Sequence, residues 1–258
     1  VSRSILTQSL WDNRRSLTGW IVAATLLAII YGAFYPQMTP QSVETVPDAL
    51  RDAFNFSDIG SAAGYLGTAP FGILVPLVVL FYGVATGARA IAGDEENGLL
   101  ELVLAHPVSR TKLLLQRFGA LAVGAVVIAL MIFLGMLAIR SSAQLETVSA
   151  GQFAAQATAV CLLAVFFGAL ALGIGAAGGR HGLVFAGTAS VGVLSYMLNA
   201  FAPQMGATWL QKVSPFYYYI GGEPLKNGFQ WGHLGVLAAL TVVILGIGLW
   251  AFNRRDLG

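Results

Sequence analysis

Six runs of membrane-crossing length contain no Asp, Glu, Lys, Arg or His: about 17–35, 65–88, 118–139, 153–177, 183–201 and 234–252. A helix of ~20 apolar residues covers the hydrocarbon core of a bilayer, so each run reads as a span. Only 10% of the residues are charged and 57% are hydrophobic, whereas soluble domains carry about 25% charged residues. A soluble core of this size could not hide so much apolar surface. The expected fold is therefore all-α: a polytopic membrane protein with six transmembrane helices, organised as one transmembrane domain over residues 1–258. Its first partner is the lipid bilayer. The net charge of +2 is spread between loops, which leaves no nucleic-acid footprint.

The segments between the runs carry the remaining information. Residues 3–16 place Leu6, Leu10 and Leu17 on one helical stripe, with Arg3, Asp12, Arg14 and Arg15 mostly elsewhere. This suits an N-terminal interfacial helix anchored by Trp11, and equally a basic leader ahead of a span. No small-residue cleavage site follows the first run, so that run is expected to be retained. Pro70 and Pro76 fall inside the second span, where each removes a backbone donor and favours a kink. The fourth span is rich in small residues, including Gly168, Ala169, Ala171, Gly173, Gly175 and Ala176, which allow close helix approach in lipid. Gly178 to Gly182 form a tight turn. Residues 202–232 are too polar to span yet rich in aromatics, which suits the headgroup level.

Ten of the 14 Lys and Arg residues fall on one side of this layout: Arg3, Arg14, Arg15, Arg89, Arg110, Lys112, Arg117, Arg180, Arg254 and Arg255. Arg51, Arg140, Lys212 and Lys226 fall on the other. The positive-inside rule then predicts cytoplasmic N- and C-termini in a cell (plasma) membrane, with the aromatic segment 202–232 extracellular.

Chemistry inside the spans is sparse. No ionisable acid or base lies near a span centre, which disfavours a proton-coupled carrier. Tyr196 and Asn199 in the fifth span read first as helix–helix hydrogen-bonding groups. With Tyr82, Phe216 and Tyr217 they also form a candidate substrate path. Glu95-Glu96 is the one foothold for an intramembrane hydrolase, but position 100 is leucine rather than the arginine of an EExxxR motif. His106, His181 and His233 sit at or beyond span ends, so metal ligation lacks its histidines. Cys161 is single, which excludes an intrachain disulfide and a thiolate cluster, and it reads as a small buried hydrophobe. No catalytic residue and no metal site are assigned. The lysines Lys112, Lys212 and Lys226 follow Thr111, Gln211 and Leu225, so the Gly-Lys-Ser/Thr of a phosphate-binding loop is absent. If ATP drives this chain, another chain hydrolyses it.

The densest charge lies in residues 93–110, GDEENGLLELVLAHPVSR. Leu100, Val103 and Leu104 share a helical face within a short predicted helix, Leu99–Ala105. Pro107 ends it, and Ser109 is placed to cap the helix that carries Arg110, Lys112 and Arg117 into the third span. The result is a compact elbow, acidic at its start and basic at its exit.

This stretch resembles the cytoplasmic signature of permease subunits of ABC-2-type exporters: an acidic E-x-x-G-T-L-E-x-L-L, a proline, V-S-R and a basic helix. Leu99 stands where threonine is frequent. The layout of spans is similar over the whole chain, and Ser214-Pro215-Phe216-Tyr217-Tyr218 resembles a segment common in the family. The resemblance implies that residues 93–110 form a cytoplasmic coupling helix. Glu95, Glu96, Gly98, Glu101, His106, Pro107, Val108, Ser109 and Arg110 would engage a separate ABC ATPase subunit, present in two copies. A second permease copy or homologue would complete the exporter. ATP and Mg would sit on the ATPase, leaving no cofactor in this chain. A hydrophobic or amphiphilic cargo such as a drug, antibiotic or lipid is expected. An intramembrane hydrolase and a non-transporting membrane scaffold stand as alternatives.

Overall fold

Ser61, Ser109 and Ser149 each start a long helix in the same way. Their hydroxyls accept backbone N–H groups three residues on, from Gly64 at 3.0 Å, Lys112 at 3.3 Å and Gln152 at 3.2 Å. A helix start leaves four N–H groups without partners, and each contact satisfies one. Gln152 Oε1 also accepts the Ser149 N–H at 2.7 Å, which completes a capping box.

The computed structural model describes residues 4–37, 60–98 and 109–255. Its helices are α1 Ile5–Asp12, α2 Arg14–Ala33, α3 Ala62–Glu96, α4 Arg110–Ile139, α5 Ala150–Ala176 and α6 His181–Phe201. Three short helices follow, α7 Thr208–Gln211, α8 Pro215–Ile220 and α9 Pro224–Asn227, before α10 Trp231–Arg254. No strand occurs among the described residues. Among the described residues six helices are long and apolar enough to cross a membrane: α2, α3, α4, α5, α6 and α10. The chain is an all-α multi-pass membrane protein.

These helices reach past the apolar runs. α4 starts at Arg110, two turns before the uncharged stretch, and its 30 residues make it about 45 Å long. That exceeds the ~30 Å hydrocarbon core, so its charged first turns stand outside the core. α3 likewise continues to Glu96. One end of the bundle therefore carries the acidic tip of α3, the basic start of α4 and the end of α10. The opposite end carries the short helices α7 to α9.

α5 is the central post. In its apolar window 78% is buried, against 22% for α2 and for α10. Its small residues explain how it accepts neighbours on several sides. A Cβ at Gly83 of α3 would collide with the Ala164 carbonyl of α5, and one at Gly87 with the Gly168 carbonyl. Gly168 in turn holds Leu121 of α4, and Gly173 meets Gly248 of α10. In lipid, where burying apolar groups against each other gains little, such close packing supplies the association energy. Val126, Leu130 and Leu134 on α4, and Val242, Val243 and Ile247 on α10, point away from the bundle.

α1 lies against the start of α4, not free of the bundle. Ser9 is buried there, and the Leu6 side chain meets Gly119. Trp11 remains exposed, with the Arg14 guanidinium 4.2 Å over its ring. The kink expected in α3 takes a specific form. Residues Pro70–Leu74 make a wider turn, in which the Val75 N–H bonds to the Pro70 carbonyl. In that register the Phe71 carbonyl would need the N–H of residue 76, which is Pro76 and has none.

Candidate functional site

Two sites stand at opposite ends of the bundle. At the charged end, the tip of α3 is tied to three other helices, and through Arg117 to a fourth. Asp94 pairs with Arg117 of α4, and the same guanidinium donates to Ser9 Oγ of α1 at 3.2 Å. Glu95 pairs with Arg255 at the end of α10, where Arg255 Nη1 donates to Glu95 Oε2 at 2.9 Å. Glu96 Oε1 accepts the His181 backbone N–H at 3.0 Å. A carboxylate at that position satisfies an unpaired donor and faces the positive end of the α6 dipole.

Arg110, on the far side of residues 99–108, joins the same cluster. Its Nη1 donates to the Phe252 carbonyl at 3.0 Å and to the Arg255 carbonyl. These carbonyls belong to the last turn of α10, where no intrahelical donor remains for them. Asn253 adds a contact of 3.3 Å to Thr111 Oγ1. The segment 99–108 is thus bracketed by residues clamped to α1, α4, α6 and α10.

This narrows the charges expected to meet an ATPase. Glu95 and Arg110 are engaged within the chain, and of the acidic turn Glu96 is the exposed member. Ser109 serves as the α4 cap expected of it. Gly98 has φ +68°, a left-handed conformation that a residue with a Cβ adopts only with strain. The predicted helix Leu99–Ala105 and the residues Glu101, His106, Pro107 and Val108 lie outside the described residues.

At the other end, a cavity of about 380 Å³ opens beneath the short helices. Tyr196, Asn199, Phe216 and Tyr217 line it together, along with Gln156 and Tyr219. Local chemistry sets this arrangement. Ser214 Oγ donates to the Ser195 carbonyl of α6 at 2.8 Å and accepts the Phe216 N–H at 3.2 Å, so it both starts α8 and fixes it to α6. Phe216 then meets Tyr196 edge-on, with ring centroids 5.2 Å apart. Gln211 Nε2 reaches the Asn199 carbonyl at 2.9 Å, which holds α7 on the same helix end. At the rim, Lys226 Nζ and Glu223 Oε1 are 2.8 Å apart.

Tyr82 does not join this group. Its hydroxyl donates to the Leu121 carbonyl at 2.8 Å, in the buried seam between α3 and α4.

Tyr219 fills the gap left by Pro76. Its hydroxyl donates to the Phe71 carbonyl at 2.8 Å and accepts Gln156 Nε2 at 3.0 Å. Burial pushes the Tyr219 hydroxyl above its ordinary range, which keeps it protonated and able to donate. Gln156 and Tyr219 were not singled out in the sequence. A lone glutamine inside an alanine-rich span was the available signal, since amides in lipid seek partners. Asp94, Arg117 and Arg255 were legible only as charges near span ends.

Two comparisons bear on what this architecture serves. Residues 6–253 match the family model described as "Multidrug efflux system permease Rv1217c, C-terminal domain". No curated protein matches the chain.

Proposed function

The chain belongs to the family of the multidrug efflux system permease Rv1217c C-terminal domain, which is of the ABC-2 type, and on that premise we propose that it is the membrane subunit of an ATP-driven exporter. A separate ABC ATPase, in two copies, would bind ATP and Mg and hydrolyse the nucleotide. A second permease copy or homologue would complete the translocation unit. The termini and residues 93–110 would be cytoplasmic, in a plasma membrane, as the distribution of Lys and Arg favours.

The observation that carries this reading is the clamping around residues 99–108. A coupling element must pass displacement to the spans instead of absorbing it locally. Asp94, Glu95 and Glu96 connect one flank of this segment to α4, α10 and α6, and Arg110 connects the other to α10. A push on the segment would therefore load several helices at once. The expected cargo is hydrophobic or amphiphilic, a drug, an antibiotic or a lipid.

The test is reconstitution. Vesicles containing the chain with the ABC ATPase that co-purifies with it should export a lipophilic drug only when ATP is supplied. Vesicles with either component alone should not. Drug export by the chain alone at the same rate, with or without ATP, would reject the reading.

A further inference from the structure

α10 ends in two adjacent arginines that face opposite ways. Arg255 reaches inward to Glu95, and nearby Phe252 is fully buried. Trp250 and Arg254, four residues apart on the helix, share the outer face. Trp250 is 58% exposed, and the exposed Arg254 guanidinium lies 4.4 Å over its ring. The acids at the tip of α3 are already committed: Asp94 to Arg117, Glu95 to Arg255 and Glu96 to the His181 N–H. Arg254 has no hydrogen-bond or ion-pair partner among the described residues. Lys112, whose neighbour Thr111 touches Asn253, is exposed and has no ion-pair partner among them either.

We propose that Arg254 and Trp250 form a headgroup site for an anionic phospholipid of the leaflet that faces the charged end. Depth favours a lipid over a soluble protein. Trp250 lies at the end of the uncharged run 234–252, on a helix whose apolar window is only 22% buried. Its ring therefore meets lipid where the hydrocarbon gives way to headgroups, the level at which tryptophan is enriched. A soluble partner would have to reach below the headgroups to cover it. Stacking on the indole holds the guanidinium flat and leaves its N–H edge free, and that edge matches two phosphate oxygens. A headgroup bound there would hold from outside the turn that Arg110 and Glu95 hold from inside. Whichever leaflet faces this end supplies the lipid, with or without an ATPase, so the site stands apart from the export reading.

Native mass spectrometry of the purified full chain, titrated with phosphatidylglycerol or with phosphatidylcholine of the same acyl chains, tests it. The first phosphatidylglycerol should bind about fivefold tighter to the native chain than to Arg254→Gln, the effect of one cation at an anionic surface. Phosphatidylcholine binding should not change. Trp250→Leu keeps an apolar side chain and removes the stacking surface, and it should weaken phosphatidylglycerol about two- to fivefold. Arg89→Gln removes another exposed cation of the same end and should leave the first lipid unaffected. Excess glycerol phosphate should not displace the lipid, because it lacks the chains that bring the headgroup to this depth. Equal losses in Arg254→Gln and Arg89→Gln would overturn the proposal, since they would mark a diffuse field instead of a site. Affinity unchanged in Arg254→Gln or in Trp250→Leu would overturn it too, as would displacement by glycerol phosphate. Both altered side chains are exposed, so the variants should fold, and the Arg89→Gln comparison is made on the same preparation. Because the assay uses no ATPase, its failure is distinguishable from a failure of ATP-driven export.

Discussion

Glu95 and Arg255, 160 residues apart in sequence, form a two-pronged ion pair that joins the tip of α3 to the end of α10. Both side chains are partly exposed, so the pair contributes modestly, about 1 kcal/mol. Its importance lies in direction, because it ties the proposed coupling segment to the last span. Glu95→Gln and Arg255→Gln should each lower drug export severalfold while insertion persists. The exchange Glu95→Arg with Arg255→Glu should recover part of it. Export assays on the four proteins, at matched membrane levels, check this.

Glu96 is the most exposed of Asp94, Glu95 and Glu96, and it also caps α6. Glu96→Ala should cost about 1 kcal/mol of stability through the lost cap. Glu96→Gln keeps an acceptor for the His181 N–H and should recover most of that. If both variants lose drug-stimulated ATP hydrolysis alike, the charge itself serves coupling. If only Glu96→Ala does, the cap accounts for the effect.

Gly83 has no room for a side chain against the Ala164 carbonyl, whereas Gly246 of α10 faces open space. Backbone cannot move aside as a flexible side chain can. Gly83→Ala should therefore destabilise the bundle by about 1–3 kcal/mol. Gly246→Ala should be neutral or slightly stabilising, as helix propensity favours alanine. Thermal unfolding of the two variants in detergent separates them.

Tyr219→Phe removes the donor to the Phe71 carbonyl and the acceptor of Gln156 Nε2 together. The expected loss is about 1–3 kcal/mol. Burial raises the folded-state titration of this phenol above its ordinary value of 10.0, so its contribution is complete below pH 10. It declines only as pH rises beyond that, toward the raised folded value. The stability gap between native chain and variant should thus stay constant from pH 5 to pH 9, by calorimetry. A gap that closes within that range would contradict the assignment.

The spans were legible because an uncharged stretch long enough to cross a bilayer has few other uses. Their ends were legible unevenly: the continuation of α3 to Glu96 could not be read from the sequence, whereas the start of α4 at Arg110 could. Ser109 could be read as a cap from its place before that helix. The charge pairs Glu95–Arg255 and Asp94–Arg117 could not be read, because they depend on which helix ends meet in space. Tyr82 shows the reverse error of scale. A tyrosine inside a span suggests a wall of a pathway, yet its hydroxyl closes onto the Leu121 carbonyl within a packed seam. Pro76 was legible as a kink, but the carbonyl it frees and the phenol that answers lie far apart in sequence.

The proposed coupling is that a separate ATPase drives this chain through the segment that begins at the acidic tip of α3. Its most direct measurement is ATP hydrolysis by material purified on a tag attached to this chain from its native membranes. The eluate should contain an ABC ATPase whose hydrolysis rises with lipophilic drug, with that rise lost in Glu96→Ala. An eluate with no ATPase, or one whose hydrolysis ignores both drug and Glu96, would contradict it.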